Sequence, residues 1–285
     1  MNKIMLFIEP FKNTLPLDAH ALLLIILIIA LAGFISGLSG FGFSAVGVML
    51  LWVMNPTRAI PLLMALSIAN QLLSISQLKE EMIPLSKWWS AGPATYILGG
   101  FFGVPAGVWI MANLPASELT FAIGMILLIY STWMVLRPVA ISVNSSGPFE
   151  HILVGMVGGA IGGFTAFPGC AVVIWAGLRN LSKTEQRGIV QPYILAMQMA
   201  SLLSMIYLHS GDLNSNPYDS NFWILFAFLL PVVLPMTKLE VAAFKSLSDV
   251  NFKNITLGVL ALSGSGLAFK GFEATFIELL FWVTA

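Results

Sequence analysis

The chain has 285 residues, 58% of them hydrophobic and 9% charged, with a mean hydropathy of +0.91 and equal numbers of basic and acidic side chains. A water-soluble domain carries about a quarter charged residues, so this chain cannot cover itself with polar groups and its solvent must be lipid. Zero net charge offers nucleic acid no footing, the single Cys170 excludes a disulfide framework or a thiolate cluster, and His20, His151 and His209 are too scattered for a metal site, so no metal or cofactor is implied.

Residues 1–20 mix Lys3, Glu9, Lys12 and Asp18 with apolar residues and show no small-residue cleavage site, so they are expected to stay on the mature chain. Apolar segments of membrane length follow at 18–54, 59–78, 88–111, 117–136, 150–178, 188–208, 220–237 and 252–269. The first is too long for one span and is interrupted at 35–45 by ISGLSGFGFSA, with Ser36, Ser39, Gly40, Gly42 and Ser44. The fifth is broken by the run Gly162-Gly163-Phe164-Thr165-Ala166-Phe167-Pro168-Gly169. Between them, 138–149 reads as a Pro/Ser/Asn/Gly linker dividing an N-terminal half, 1–137, from a C-terminal half, 150–285, within one membrane domain. Residues 238–251 have the spacing of a surface amphipathic helix, and 272–284, with Glu273 and Glu278, reads either as interfacial or as an extension of the last span.

The halves look duplicated. Gly33, Gly37 and Gly40 match Gly155, Gly159 and Gly162 at one constant offset, Arg58 opens its span as Arg187 does, Pro61 and Pro192 follow, and Leu72-Leu73-Ser74 matches Leu202-Leu203-Ser204. Charge bears on the topology, because Lys and Arg collect on the inner face. If every segment crosses, they divide almost evenly. If both broken segments enter and return, Lys79, Lys87, Arg137, Arg179, Lys183, Arg187, Lys238, Lys245 and Lys253 share one side, against Lys3, Lys12, Arg58 and Lys270. If only the fifth returns, Lys3 and Lys12 join the larger group. At least one re-entrant segment is expected, and the first is left open. Two returning segments make the halves inverted, as in many secondary transporters.

Broken helices at membrane depth have a chemical use. Non-helical backbone there must be buried in protein or line a wet cavity, and a helix that starts mid-membrane presents free N–H groups and a positive dipole end to anions. Ser36, Ser39 and Ser44 from one break, facing Thr165 and the Gly162-Gly163 turn of the other, suit an oxyanion. Pro168 fits the first turn of a restarting half-helix. Arg58 and Arg187, each opening a span after a break, can attract an anion to a pathway. Asn70, Gln71, Gln191 and Gln198 are amides inside apolar segments and need partners. No Asp or Glu falls clearly inside a span, so a buried proton relay is not evident. Packing is the competing use of the glycines and amides. Gly37-Leu38-Ser39-Gly40 also has the form of a serine-nucleophile motif, so an intramembrane serine hydrolase is an alternative, as is a non-transporting scaffold or accessory subunit. The hydrolase needs a histidine inside a later span, and none lies there.

These features together resemble the sulfite exporter TauE/SafE family, also called toluene sulfonate uptake permeases, over about residues 20–270. The residues that carry the resemblance are Gly33–Gly47 followed by Asn55-Pro56-Thr57-Arg58-Ala59, and Gly155–Gly169 followed by Ser182-Lys183-Thr184-Glu185-Gln186-Arg187-Gly188. The chain departs from the family pattern at Ile60-Pro61, where Thr-Ser is frequent, and at Phe164–Phe167, where further glycines are frequent. The resemblance implies a multi-pass protein of the bacterial plasma membrane that carries small sulfur anions, such as sulfite, sulfoacetate or other sulfonates. The expectation is therefore an all-α integral membrane protein of two inverted halves, each with a broken segment and three transmembrane helices. Its partners are a small anion and the lipid bilayer, and a homo-oligomer is left open.

Overall fold

The computed structural model describes residues 19–39, 42–78, 82–136, 143, 147–209, 218–246, 258 and 261–274. Every regular element among them is helical. In chain order these are α1 (Ala19–Ser39), α2 (Gly42–Gly47) with a 3-10 turn (Val48–Trp52), α3 (Pro56–Gln77), α4 (Trp88–Ala91), α5 (Pro93–Asn113), α6 (Ala116–Leu136), α7 (Pro148–Thr165), α8 (Gly169–Leu178), α9 (Lys183–His209) and α10 (Ser220–Ser246), followed by helical residues 261–274, here α11. Six of them, α1, α3, α5, α6, α9 and α10, are long and apolar enough to cross a membrane, whereas 42–52 and α8 are too short. The stretch Lys238–Ser246, expected as part of a separate surface helix, instead continues α10 without a break, because no Gly or Pro falls between Lys238 and Ser246 to stop it.

The short polar stretches before the spans are caps. Asn55 accepts from the N–H of Thr57 at 3.1 Å, and Pro56 fills the first helical position of α3. Ser182 and Glu185 form a reciprocal box at the start of α9, with Ser182 N–H to Glu185 Oε2 at 2.9 Å and Glu185 N–H to Ser182 Oγ at 3.3 Å. Glu150 reaches back to the Gly147 N–H at 2.8 Å at the start of α7. Each device satisfies backbone donors that the membrane would leave dry.

α5 and α7 pack side by side with their backbones almost touching. Gly155 lies against Tyr96, Gly159 against Gly100 and Gly163 against Gly107, so the two helices run parallel. A Cβ at Gly159 would run into the Gly100 carbonyl, and one at Gly163 would lie 2.8 Å from the Gly107 Cα. This is the close approach that small residues at four-residue spacing permit. α7 does not continue across. It stops at Thr165, Ala166 turns at φ 60°, and α8 folds back. At the end of α8, Arg179 Nη1 reaches His151 Nε2 near the start of α7 at 3.4 Å, and the Val143 N–H donates to the Leu178 carbonyl at 2.9 Å. The second broken segment is therefore a hairpin that enters and leaves by one face.

That face also holds the end of α3 and the start of α9, since Gly188 packs on Ile83 of the connection after α3. α3 and α9 run antiparallel, for Ser74 near the end of one bonds Arg187 and Gln191 near the start of the other. α10 begins at the opposite face, where Asp219 meets Arg58 at the start of α3. α1 runs alongside α10 in the same direction: Gly33 abuts Val233 and Met236, and one turn on, Ser36 meets Thr237 through Asn70. The 42–52 stretch returns to that opposite face, where Lys270 of α11 donates to the Leu51 carbonyl at 2.8 Å and caps its end. Two hairpins thus enter from opposite faces. Each leans on a helix distant in sequence, α1 on α10 and α7 on α5. Lys87, Arg179 and Arg187 lie at the face of the second hairpin, and Arg58 and Lys270 at the other, which makes the first the inner face by charge.

A labelling result follows from this path. With Cys170 replaced by Ala, a membrane-impermeant thiol reagent should reach cysteines placed at His20 and Asn55 from one face of sealed vesicles, and cysteines at Phe149 and Thr184 from the other. Labelling of His20→Cys and Asn55→Cys from opposite faces would mean that the first segment crosses.

A buried polar column between the two hairpins

The hairpin tips converge on the facing stripes of α3 and α9. On α3, Ser67, Asn70, Gln71 and Ser74 fall at three- and four-residue spacing and so share one face. On α9 the same geometry aligns Arg187, Gln191, Gln198 and Ser201. All eight are buried. Neither stripe can be left facing lipid, because an unsatisfied polar group in hydrocarbon costs several kcal/mol, so the two face each other and the hairpins.

The column has three parts. Nearest the inner face, Ser74 Oγ accepts from Arg187 Nη2 at 3.3 Å and Gln191 Nε2 at 3.2 Å. Deeper in, Gln198 Nε2 donates to Ser44 Oγ at 2.8 Å and to the Ala166 carbonyl at 3.0 Å. Ser44 belongs to the first hairpin and Ala166 to the second, so this one amide joins the two breaks. Beside it, Asn70 donates to Ser36 Oγ at 2.8 Å and accepts from Thr237 Oγ1 at 2.7 Å, tying α1, α3 and α10 together. Gln198 lies roughly 22 Å along α9 from Lys183, and Ser67 roughly 16 Å along α3 from Pro56, at 1.5 Å per residue. Both depths fall near the middle of a ~30 Å apolar layer. The antiparallel register that sets Ser74 beside Gln191 brings Ser67 level with Gln198.

Four atoms in the column have no hydrogen-bond partner: Gln191 Oε1, Gln198 Oε1, Ser67 Oγ and Ser201 Oγ. Ser67, Gln191 and Gln198 are 1% exposed and Ser201 0%. Buried polar atoms are nearly always paired, so four orphans in one column are a concentration of unmet hydrogen-bonding capacity.

The candidate residues divide as follows. Ser36, Ser44, Asn70, Gln71, Arg187, Gln191 and Gln198 all lie in this buried column or its wall. Thr165 is buried beside it, with its hydroxyl donating to the Ile161 carbonyl at 2.7 Å and accepting from the Phe167 N–H at 3.0 Å, so it holds the turn. Gly162 lies beneath Pro168, which caps α8, and Gly163 packs on Gly107. Gly42 opens α2 and is buried. Gly40 and the Ser39 side chain lie outside the described residues. Arg58 lies apart, half exposed at the opposite face, with Nη2 3.1 Å from Asp219 Oδ2. Thr57 and Tyr218, next to this pair in sequence, line a cavity of about 80 Å³ with Val108, Met111, Met205 and Leu208. Sequence reasoning did not single out Ser67, Ser201 or Thr237, although the spacing of Ser67 with Asn70 and Gln71 marked its face.

The chain matches the profile of the family described as sulfite exporter TauE/SafE over residues 25–267, most of its length. The chain belongs to the sulfite exporter TauE/SafE family. No curated protein and no solved structure matches it. TauE/SafE proteins are membrane transporters and not enzymes, which sets aside the hydrolase reading of Ser39. His151, near the start of the second hairpin, is held at the inner face instead, stacked on Tyr96 with ring centroids 4.5 Å apart and with Nδ1 3.2 Å from Thr95 Oγ1.

The Arg58–Asp219 pair sharpens an expectation for this TauE/SafE chain. Arg58→Ala should weaken anion uptake more at low salt than at high salt, because attraction between exposed charges is screened. Asp219→Asn, which leaves Arg58 unneutralised, should raise uptake at low salt by up to about fivefold, the range of an exposed ion pair. Initial rates in proteoliposomes at two ionic strengths measure both, and equal losses at both salts for Arg58→Ala would remove its steering role.

Proposed function

We propose that this protein is a secondary transporter of small sulfur-containing oxyanions, which it binds between the two hairpin tips and releases to alternate faces as halves 1–137 and 150–285 rock about that point. The observation that supports this most directly is the set of unpartnered buried atoms, Gln198 Oε1, Ser67 Oγ and Ser201 Oγ, near the level where Gln198 joins Ser44 to Ala166. A polar site walled in at mid-membrane has no structural use that its own hydrogen bonds complete. A bound solute completes them.

The charge pattern fits an anion. Arg187, 4% exposed, stands one turn into α9 on the inner side of the column. The guest needs little more than direct backbone and hydroxyl contacts, as at other broken-helix sites. The symmetric pairing of α1 with α10 and α7 with α5 supports inverted halves, and sulfite, sulfoacetate and other sulfonates are the candidate cargoes that the family suggests.

The test is flux of labelled sulfite, sulfonates and carboxylates into liposomes that carry the pure protein. Saturable flux of one or more sulfur anions, competed by unlabelled anion, is expected. Its absence across the whole panel would leave a scaffold as the better reading.

A further inference from the structure

We propose that the site between the hairpins takes its anion in a form that carries an O–H, a monoprotonated oxyanion rather than a bare one, so that a proton rides on the cargo. The inference rests on the transporter reading above and narrows its cargoes: a hydrogen sulfite ion carries an O–H, whereas a sulfonate group does not and is disfavoured.

What the site can bind depends on which way round the Gln198 amide sits. Amide oxygen and nitrogen are usually assigned from the surrounding network. Here the assignment is forced, because the Ala166 carbonyl can only accept, so the atom 3.0 Å from it must be the nitrogen. The second N–H of that nitrogen goes to Ser44 Oγ at 2.8 Å. Both donors of Gln198 are thereby engaged inside the protein. What remains is Oε1, a buried acceptor with no partner. An acceptor in a buried site repels a bare oxyanion and needs a donor.

The rest of the site supplies the complementary groups. Ser67 and Ser201 hydroxyls are unpartnered and can each donate to an oxygen of the guest. Ser44, which accepts from Gln198, keeps its own proton to donate. Three hydroxyl donors and one fixed acceptor match an anion with several bare oxygens and one O–H. Among the described residues no carboxylate is buried to take over that proton. The six spanning stretches contain only Glu118 and Glu185 among acidic residues, each in a first helical turn. The proton that satisfies Gln198 therefore arrives and leaves with the solute.

Two probes of equal charge and similar shape separate this from a plain preference for monoanions. Methanesulfonate has no O–H, and methylphosphonate has one in its monoanionic form. Calorimetric titration of the protein in nanodiscs should show the methylphosphonate monoanion binding about tenfold tighter than methanesulfonate, the worth of one buried hydrogen bond. That advantage should fall roughly tenfold per pH unit above the second pKa of the probe. Gln198→Leu should abolish the difference between the probes. Ser201→Ala, which removes a donor only, should weaken both alike. Equal or tighter binding of methanesulfonate by the unsubstituted protein overturns the proposal even if Gln198→Leu fails to fold. If methanesulfonate, methylphosphonate and sulfite all fail to bind at any pH, the anion site itself falls and this inference with it.

Discussion

Gly159→Leu is expected to prevent this protein from reaching its folded state. Gly159 of α7 lies against the Gly100 backbone of α5, and even a Cβ there would collide with the Gly100 carbonyl. Backbone cannot move aside as a side-chain tip can, so the helices must separate. Separation would also disturb Gly155 against Tyr96 and Gly163 against Gly107 on the same seam. Overpacking at one site costs about 3 kcal/mol at the upper end of the usual range, and a three-contact seam should reach or exceed that. The readouts are a monodisperse peak in detergent and the thermal midpoint, both lost or sharply lowered. Gly258→Leu is the control, because a Cβ at Gly258 meets nothing within 4 Å. Should the two variants prove equally stable, the α5–α7 contact would not be as close as described.

Arg187→Met is expected to cut oxyanion flux by roughly 30-fold, the equivalent of about 2 kcal/mol for a hydrogen bond to a charged group. The effect should persist at high salt, because a side chain 4% exposed is poorly screened. That persistence distinguishes Arg187 from Arg58, whose influence should fade as salt is added. Arg187→Lys should restore only part of the flux, since lysine keeps the charge without the planar fork of donors. Parallel melting curves separate loss of transport from loss of fold. Unchanged flux in Arg187→Met, with the protein folded, would take Arg187 out of the pathway.

The two breaks were legible in the sequence because glycine and proline interrupt helical grammar whatever the surroundings. What the glycines do there was less so. Gly162 and Gly163 read as a turn open to a ligand, yet both lie inside the helical range of α7, and the left-handed residue that ends it is Ala166. A glycine run marks where backbones can approach, and only the fold says whose backbone arrives. Asn70 and Gln198 stood out because amides are rare in hydrocarbon. Ser67 and Ser201 did not, since a lone serine in a membrane helix can satisfy itself on its own backbone, as Ser204 does on the Ala200 carbonyl. The Ala166 carbonyl, which fixes the Gln198 amide, belongs to a main chain that no side-chain pattern announces. Arg58 read as isolated because its partner, Asp219, lies 161 residues away. In the first hairpin, charge alone left the path undecided, and the parallel run of α1 beside α10 resolved it.

That α1–α10 contact governs the order in which the molecule can be assembled. Helix α1 leaves the ribosome well before α10, yet the wall it rests on begins at Ser220. Until that wall is made, Gly33 has no Met236 to meet, and the first hairpin leans on α3 and on Gln198 of α9 without the α10 contact. The second hairpin has no such delay, because α5 is already in place when α7 emerges. Contacts so distant along the chain form slowly, so α1 closes late against α10, which is made long after it. A chain arrested before Ser220 would hold its first membrane entry half-built, a target for quality-control proteolysis.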